Sequence, residues 1–168
     1  MKKLSFLLAA MLMATLHAVS QTAIAGAWVL VKADKILPNG KQVADYGASP
    51  HGLVVFTQDG RYSVQIYRDE RLKFASGDRA RGTAEEYKDA SLSMSTHFGR
   101  YTVDSAKSTI SFQIDRASFP NTDNTTRVIP FQLKGDELSW KLAPRPDGAI
   151  PVTVLRRAGG CGPSAPAR

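Results

Sequence analysis

Arg68, Arg116 and Arg127 each end a row of alternate apolar residues. The rows read Tyr62, Val64, Ile66, Arg68; then Ile110, Phe112, Ile114, Arg116; and, taken backwards, Leu133, Phe131, Ile129, Arg127. Alternate residues of a strand share one face, so each row sets a guanidinium beside apolar side chains. Such a group needs an anionic partner, and its planar fork suits a carboxylate or a phosphate. The chemistry expected is therefore binding: an anionic head group at the three arginines, with an acyl, aromatic or polyketide-like body against Tyr62, Tyr101, Phe112, Phe131 and Trp140. The competing reading has the arginines in solvent or paired with Asp69, Asp115 and Asp123, the rings simply filling a core.

Proton-transfer chemistry has fewer candidates. His51 and His97 are the titratable candidates near the mouth, and Tyr101 is a candidate proton donor. No Gly-x-Ser-x-Gly elbow, phosphate loop or dinucleotide fingerprint occurs, and dispersed histidines make no metal-ligand pattern. No cofactor or metal is expected.

The elements that must position these residues are mostly strands. Period-two patterning runs through Ala27 to Asp34, Gly52 to Gln58, Arg61 to Arg68, Arg100 to Asp104, Ser108 to Arg116, Thr126 to Lys134, Glu137 to Ala143 and Pro151 to Arg157. One interruption has helical form. Thr83-Ala84-Glu85-Glu86 is a capping box, Tyr87, Ala90, Met94 and Phe98 follow at helical spacing, and Gly99 supplies the stop.

Asp59-Gly60, Ala106-Lys107 and Gly135-Asp136 read as two-residue hairpin turns, and each fixes a register. The first sets Val55 opposite Val64 and Leu53 opposite Ile66, which leaves Val54 and Phe56 as misfits on the polar face. The second sets Val103 opposite Ile110 and Tyr101 opposite Phe112. The third sets Leu133 opposite Leu138 and Phe131 opposite Trp140.

Eight such strands remove their raw edges by closing the last onto the first. The expected fold is all-β: an eight-stranded antiparallel up-and-down barrel with one α-helix between its third and fourth strands. The short turns then gather at one end. The long connections, 35–51, 69–99, 117–125 and 144–150, gather at the other, a mouth where the three arginines converge. These loops also carry Tyr46, Phe74, Tyr87, Phe98 and Phe119, candidates for a lid. At the closed end, Trp28 begins the first strand and Arg156 ends the last, so an arginine over the indole is expected to plug the base.

Composition sets the remaining bounds. The chain has 168 residues and a formal net charge of +7. Lys2 and Lys3, the apolar run from Leu4 to Leu16 and the small residues Ala18-Val19-Ser20 read as a signal peptide over 1–20, cut after Ser20. Ala23-Ile24-Ala25 is a second, less favoured site. The apolar run is too short for a permanent membrane anchor, and a secreted or periplasmic product is expected. Basic residues are interspersed with acidic ones, as in Arg68-Asp69-Glu70-Arg71, so no nucleic-acid face is expected. One domain, 26–157, follows. Residues 158–168 read as a disordered tail holding Cys161, the only cysteine, which excludes an intramolecular disulfide.

Several motifs together resemble the bacterial and fungal lipocalin-like domain family, a calycin-type small β-barrel. Gly26-Ala27-Trp28, with Arg156 or Arg157 at the end of the last strand, looks like the lipocalin signature. The wider series is Tyr46-Gly47, Phe56-Thr57-Gln58-Asp59-Gly60-Arg61, Phe74-Ala75-Ser76-Gly77-Asp78, Gly82-Thr83-Ala84-Glu85-Glu86-Tyr87, Phe98-Gly99-Arg100-Tyr101-Thr102-Val103-Asp104 and Phe119-Pro120-Asn121. The resemblance covers most of Gly26 to Arg157 and implies a small barrel that binds a hydrophobic or amphipathic small molecule. Two other functions fit the same frame: an isomerase or cyclase that shapes a small apolar substrate, and a protein-binding or inhibitor module that uses the mouth loops.

Overall fold

The computed structural model describes residues 23–159. The signal-peptide reading of 1–20 and the tail reading around Cys161 lie outside the described residues.

Among the described residues the strands are β1 (Gly26–Ile36), β2 (Gln42–Ala44), β3 (His51–Phe56), β4 (Arg61–Tyr67), β5 (Met94–Asp104), β6 (Thr109–Ala117), β7 (Thr125–Lys134), β8 (Glu137–Lys141) and β9 (Ile150–Arg157), and the α-helix between β4 and β5 is α1 (Ala84–Leu92). All pairings are antiparallel. The order is β2-β1-β3-β4-β5-β6-β7-β8-β9, and β1 also pairs with β9. Eight strands therefore close as expected. The unforeseen β2 lies along the far end of β1, where Asp34 meets Ala44. No described helix is long and apolar enough to cross a membrane.

Closure is set by parity, and two bulges adjust it. On β1 the register shifts between Leu30 and Lys32, so Trp28 and Leu30 face inward before the shift and Ala33 after it. On β6, Gly99 pairs with Ile114 but Phe98 with Arg116, leaving Asp115 as the extra residue. Gly99 is needed there, because a Cβ would run into the Gln113 carbonyl.

Two hairpin registers are as expected. Val103 faces Ile110 and Tyr101 faces Phe112; Leu133 faces Leu138 and Phe131 faces Trp140. The hairpin at Asp59-Gly60 is one residue out. Val54 faces Val64 and Phe56 faces Tyr62. The loop has three residues instead of two: Thr57 N donates to Arg61 O at 2.8 Å, and Gly60 takes φ +84°. A left-handed residue after a type I turn is the usual three-residue solution. A slip of one inverts every side chain, which turns the misfits Val54 and Phe56 into core and leaves Leu53 exposed.

The helix starts where expected and ends early. Thr83 Oγ1 accepts from Glu86 N, and Glu86 Oε2 accepts from Thr83 N at 2.7 Å. Met94 to Phe98 are strand instead, because β4 needs a partner: Tyr67 pairs with Met94 and Val64 with His97. A helix through Phe98 would strip those backbone groups of their ladder.

Aromatic rings fill the closed half. Phe56 lies 4.9 Å from Tyr101, and Phe112 lies 4.6 Å from Tyr62 and 6.2 Å from Trp140. The base is sealed by Trp28, whose Nε1 donates to Ile24 O at 2.8 Å. The arginine above the indole is Arg157, 4.2 Å from the ring centroid, rather than Arg156, which is exposed. Arg157 also donates to the carbonyls of Ala23 and Ala25.

Candidate ligand-binding site

The interior narrows to a cavity of about 40 Å³, lined by Val64, Ile66, Phe112, Ile129, Trp140 and Leu142 with the polar Ser95, His97, Arg127 and Thr153. That room takes a group of a few heavy atoms and excludes an acyl body. Above it, a cleft of about 500 Å³ opens between β5, β7 and the loops after β6 and β8. Ser95, His97, Arg127, Ile129 and Leu142 border both spaces and form a throat. Beside the cleft, a second hollow of about 370 Å³ is bordered by Tyr46, Arg68, Phe119 and Arg145.

Of the three arginines expected at the mouth, Arg127 alone lines the interior. It shares the inward face of β7 with Ile129 and stands across from Phe112. It makes no hydrogen bond or ion pair within the described residues. Arg116 is turned outward by the bulge at Asp115; it is 61 % exposed, donates to Asn124 Oδ1 and lies 3.8 Å from Asp123. Arg68 follows the end of β4 and binds Asp89 of α1 at 2.9 Å. The expected convergence of three guanidinium groups does not occur, because β-parity fails at a bulge in one row and the strand ends before the arginine in another.

The rings divide similarly. Phe112 and Trp140 line the inner cavity. Tyr62 stands behind His97, while Tyr101 lies toward the closed end, its hydroxyl donating to Thr57 O at 2.8 Å. Burial pushes the Tyr101 phenol up to about 12. Phe131 packs against the core nearer the base and borders neither space. Among the loop aromatics, Phe119 borders the cleft and Tyr46 the hollow beside it. Phe74 and Tyr87 meet each other 5.4 Å apart beside α1, and Phe98 stands exposed on the outer wall.

His97 is the residue whose role the sequence did not fix. It faces inward from β5, and its Nδ1 lies 2.9 Å from the Tyr62 hydroxyl. That imidazole is the hydroxyl's only hydrogen-bond partner within the described residues. A buried phenol proton left without an acceptor is costly, so Tyr62 donates to Nδ1 and His97 carries its own proton on Nε2. Nε2 bonds to no described group and is not sealed from the free space. Burial and the neighbouring Arg127 charge hold the imidazole down to about 4, so it is neutral at pH 7. Burial raises the Tyr62 phenol well above its ordinary value. His51, the other histidine candidate, is exposed at the start of β3.

A second missed feature braces the mouth. Asp45 accepts from Arg145 and lies 2.9 Å from Lys35, with its own side chain 8 % exposed. Burial works to raise its carboxyl, but the two cations outweigh it and hold the pKa below the usual range. These partners lie 100 residues apart, beyond any local pattern. Neither the inner cavity nor the cleft is lined by an aspartate or glutamate. The throat therefore offers hydrogen-bond donors and positive charge to whatever enters.

A family model described as a lipocalin-like domain matches residues 25–153. No curated protein matches the chain. Among solved structures, the chain is similar to a lipocalin-like protein from Bacteroides uniformis, with 14 % identity, a TM-score of 0.41, and coverage of 80 % of this chain and 98 % of that one.

Proposed function

Since the chain belongs to the lipocalin-like domain family, we propose that it binds a small amphipathic anion in the mouth of its barrel, the charged group at Arg127 and the apolar body along the cleft. The observation that carries this reading is Arg127 itself. Its guanidinium is unpaired within the described residues, while Arg68 and Arg145 beside the mouth and Arg116 on the outer wall all have carboxylate partners. An unpaired, partly buried cation in a lining without acids favours an anionic guest.

The apolar share of the site comes from Phe119, Val128, Leu142, Pro144 and Pro151. The cleft volume of about 500 Å³ suits a single small ligand. The aromatic core is not offered to the ligand in this reading, because its rings already fill the barrel.

Export before binding is part of the proposal. Ile24 is fully buried and its carbonyl holds Trp28, so a cut after Ser20 keeps the base intact and a cut after Ala25 removes it.

The test compares decanoate with decanol on wild type and Arg127→Leu. A lost charge-assisted hydrogen bond is worth about 1.5–3 kcal/mol, or roughly 10- to 100-fold in affinity. Decanoate is expected to weaken by that factor while decanol holds. Equal changes for both would remove the anion reading. Mass spectrometry of molecules that co-purify with the protein then identifies the natural class.

A further inference from the structure

The lining of the mouth changes with depth, and this bears on which end of a ligand enters first. Arg127 and His97 border both the cleft and the inner cavity, whereas Phe119 and the prolines of the 142–149 loop border the cleft and not the inner cavity. Apolar surface long enough for a ligand body therefore lies outside, and the free donors Arg127 and His97 lie at the throat, above a small inner space lined by Val64, Ile66, Phe112, Trp140 and Thr153.

The inner cavity is the discriminating feature. Its volume of about 40 Å³ accepts a carboxylate-sized group and no more than the first carbon or two behind it. An apolar tail inserted there would cover the His97 Nε2–H and the Arg127 guanidinium without pairing either. Burying unpaired donors is unfavourable, and for a charged one strongly so. A carboxylate inserted there satisfies both. It has two oxygens, one for each donor, and carries no proton to conflict with a lining that donates.

We propose that the ligand enters charge first, its carboxylate held in the throat between the Arg127 guanidinium and the His97 Nε2–H, with the tail directed outward along the cleft. The proposal rests on the anion-binding reading above and adds to it a second contact and an orientation. Tyr62 is a positioning residue here: by donating to Nδ1 it keeps the Nε2 proton aimed at the ligand.

Orientation is read with bromine, which quenches a nearby indole. Trp140 lines the inner cavity and Trp28 seals the opposite end. Wild type and Trp140→Phe are titrated with 2-bromodecanoate and 10-bromodecanoate, following tryptophan fluorescence, with decanoate binding measured in parallel by calorimetry. The expected result is quenching by the 2-bromo acid that disappears in Trp140→Phe, with little quenching by the 10-bromo acid. Decanoate is also expected to bind His97→Phe about tenfold more weakly, and His97→Gln, which keeps a donor, near the wild-type value.

Stronger or equal quenching by the 10-bromo acid would overturn the charge-first orientation and leave anion recognition standing. An unchanged decanoate affinity in His97→Phe would overturn the second contact. If no decanoate binds to a folded wild-type protein, the anion reading and this extension both fall.

Discussion

Neutral His97 makes the stability of the barrel depend on acid in a calculable way. Its folded pKa is about 4, depressed by burial and by Arg127, against about 6.5 in an unfolded chain. A group whose folded pKa is depressed contributes stability that is present above the unfolded pKa. That stability is lost as pH falls, because the unfolded chain then binds the proton more readily. The window runs from about pH 6.5 down to about pH 4. The gap of about 2.5 pKa units at 1.36 kcal/mol each gives an upper figure near 3.4 kcal/mol, and partial exposure of the ring lowers this to about 2–3 kcal/mol.

The perturbation is His97→Gln, which does not titrate but still accepts the Tyr62 proton through its amide oxygen. Urea unfolding of both proteins at half-unit steps from pH 7.5 to 4 is the assay. Wild type is expected to lose about 2–3 kcal/mol more than the variant across that interval, roughly 1–2 M in relative midpoint. Other titrating groups are common to both proteins and cancel in the difference. Parallel profiles would refute the reasoning, since they would mean that His97 is solvated enough to titrate normally.

Two further outcomes concern the ends of the barrel. Asp45→Asn leaves Arg145 and Lys35 without their shared carboxylate and should cost about 1.5–3 kcal/mol at pH 7. That difference should begin to shrink once pH falls below the ordinary carboxylate value of about 3.9, because the unfolded chain then takes up a proton that folded Asp45, with its lowered pKa, resists; thermal melts at pH 7 and pH 3 check it. Arg157→Leu removes the cation over Trp28 and the bonds to the carbonyls of Ala23 and Ala25. A loss of about 2–3 kcal/mol is expected, with a red-shifted tryptophan emission as the base opens to water.

The sequence carried the architecture because alternation and turns are local. Val103 opposite Ile110 and Leu133 opposite Leu138 followed from a turn and a count of two. The errors arose where a single residue changed the count. Gly60 in a left-handed conformation lengthened one loop, which explains Val54 and Phe56 as core residues. Their misfit on the polar face was itself a signal of the slipped register. Asp115 broke the row that would have delivered Arg116 to the mouth, and a bulge of that kind leaves only Gly99 as its trace. Met94 and Phe98 repeat at helical spacing, which draws His97 between them into a helical reading. The alternation Val103, Tyr101, Gly99, His97 along one face would have placed it inward. Asp45 with Arg145 had no trace at all, since their meeting depends on the whole barrel being closed.

That closure constrains how the molecule comes into being. Trp28 at the start of the domain is covered by Arg157 at its end, and β1, which also pairs with β2 and β3, finds its longest pairing only with β9. Until the last strand has been synthesised, the sheet has two unsatisfied margins and an uncorked floor. The nascent protein must therefore be kept from pairing with other chains until its final residues are free. Truncation before Arg157 is accordingly expected to yield aggregates rather than a smaller working cup.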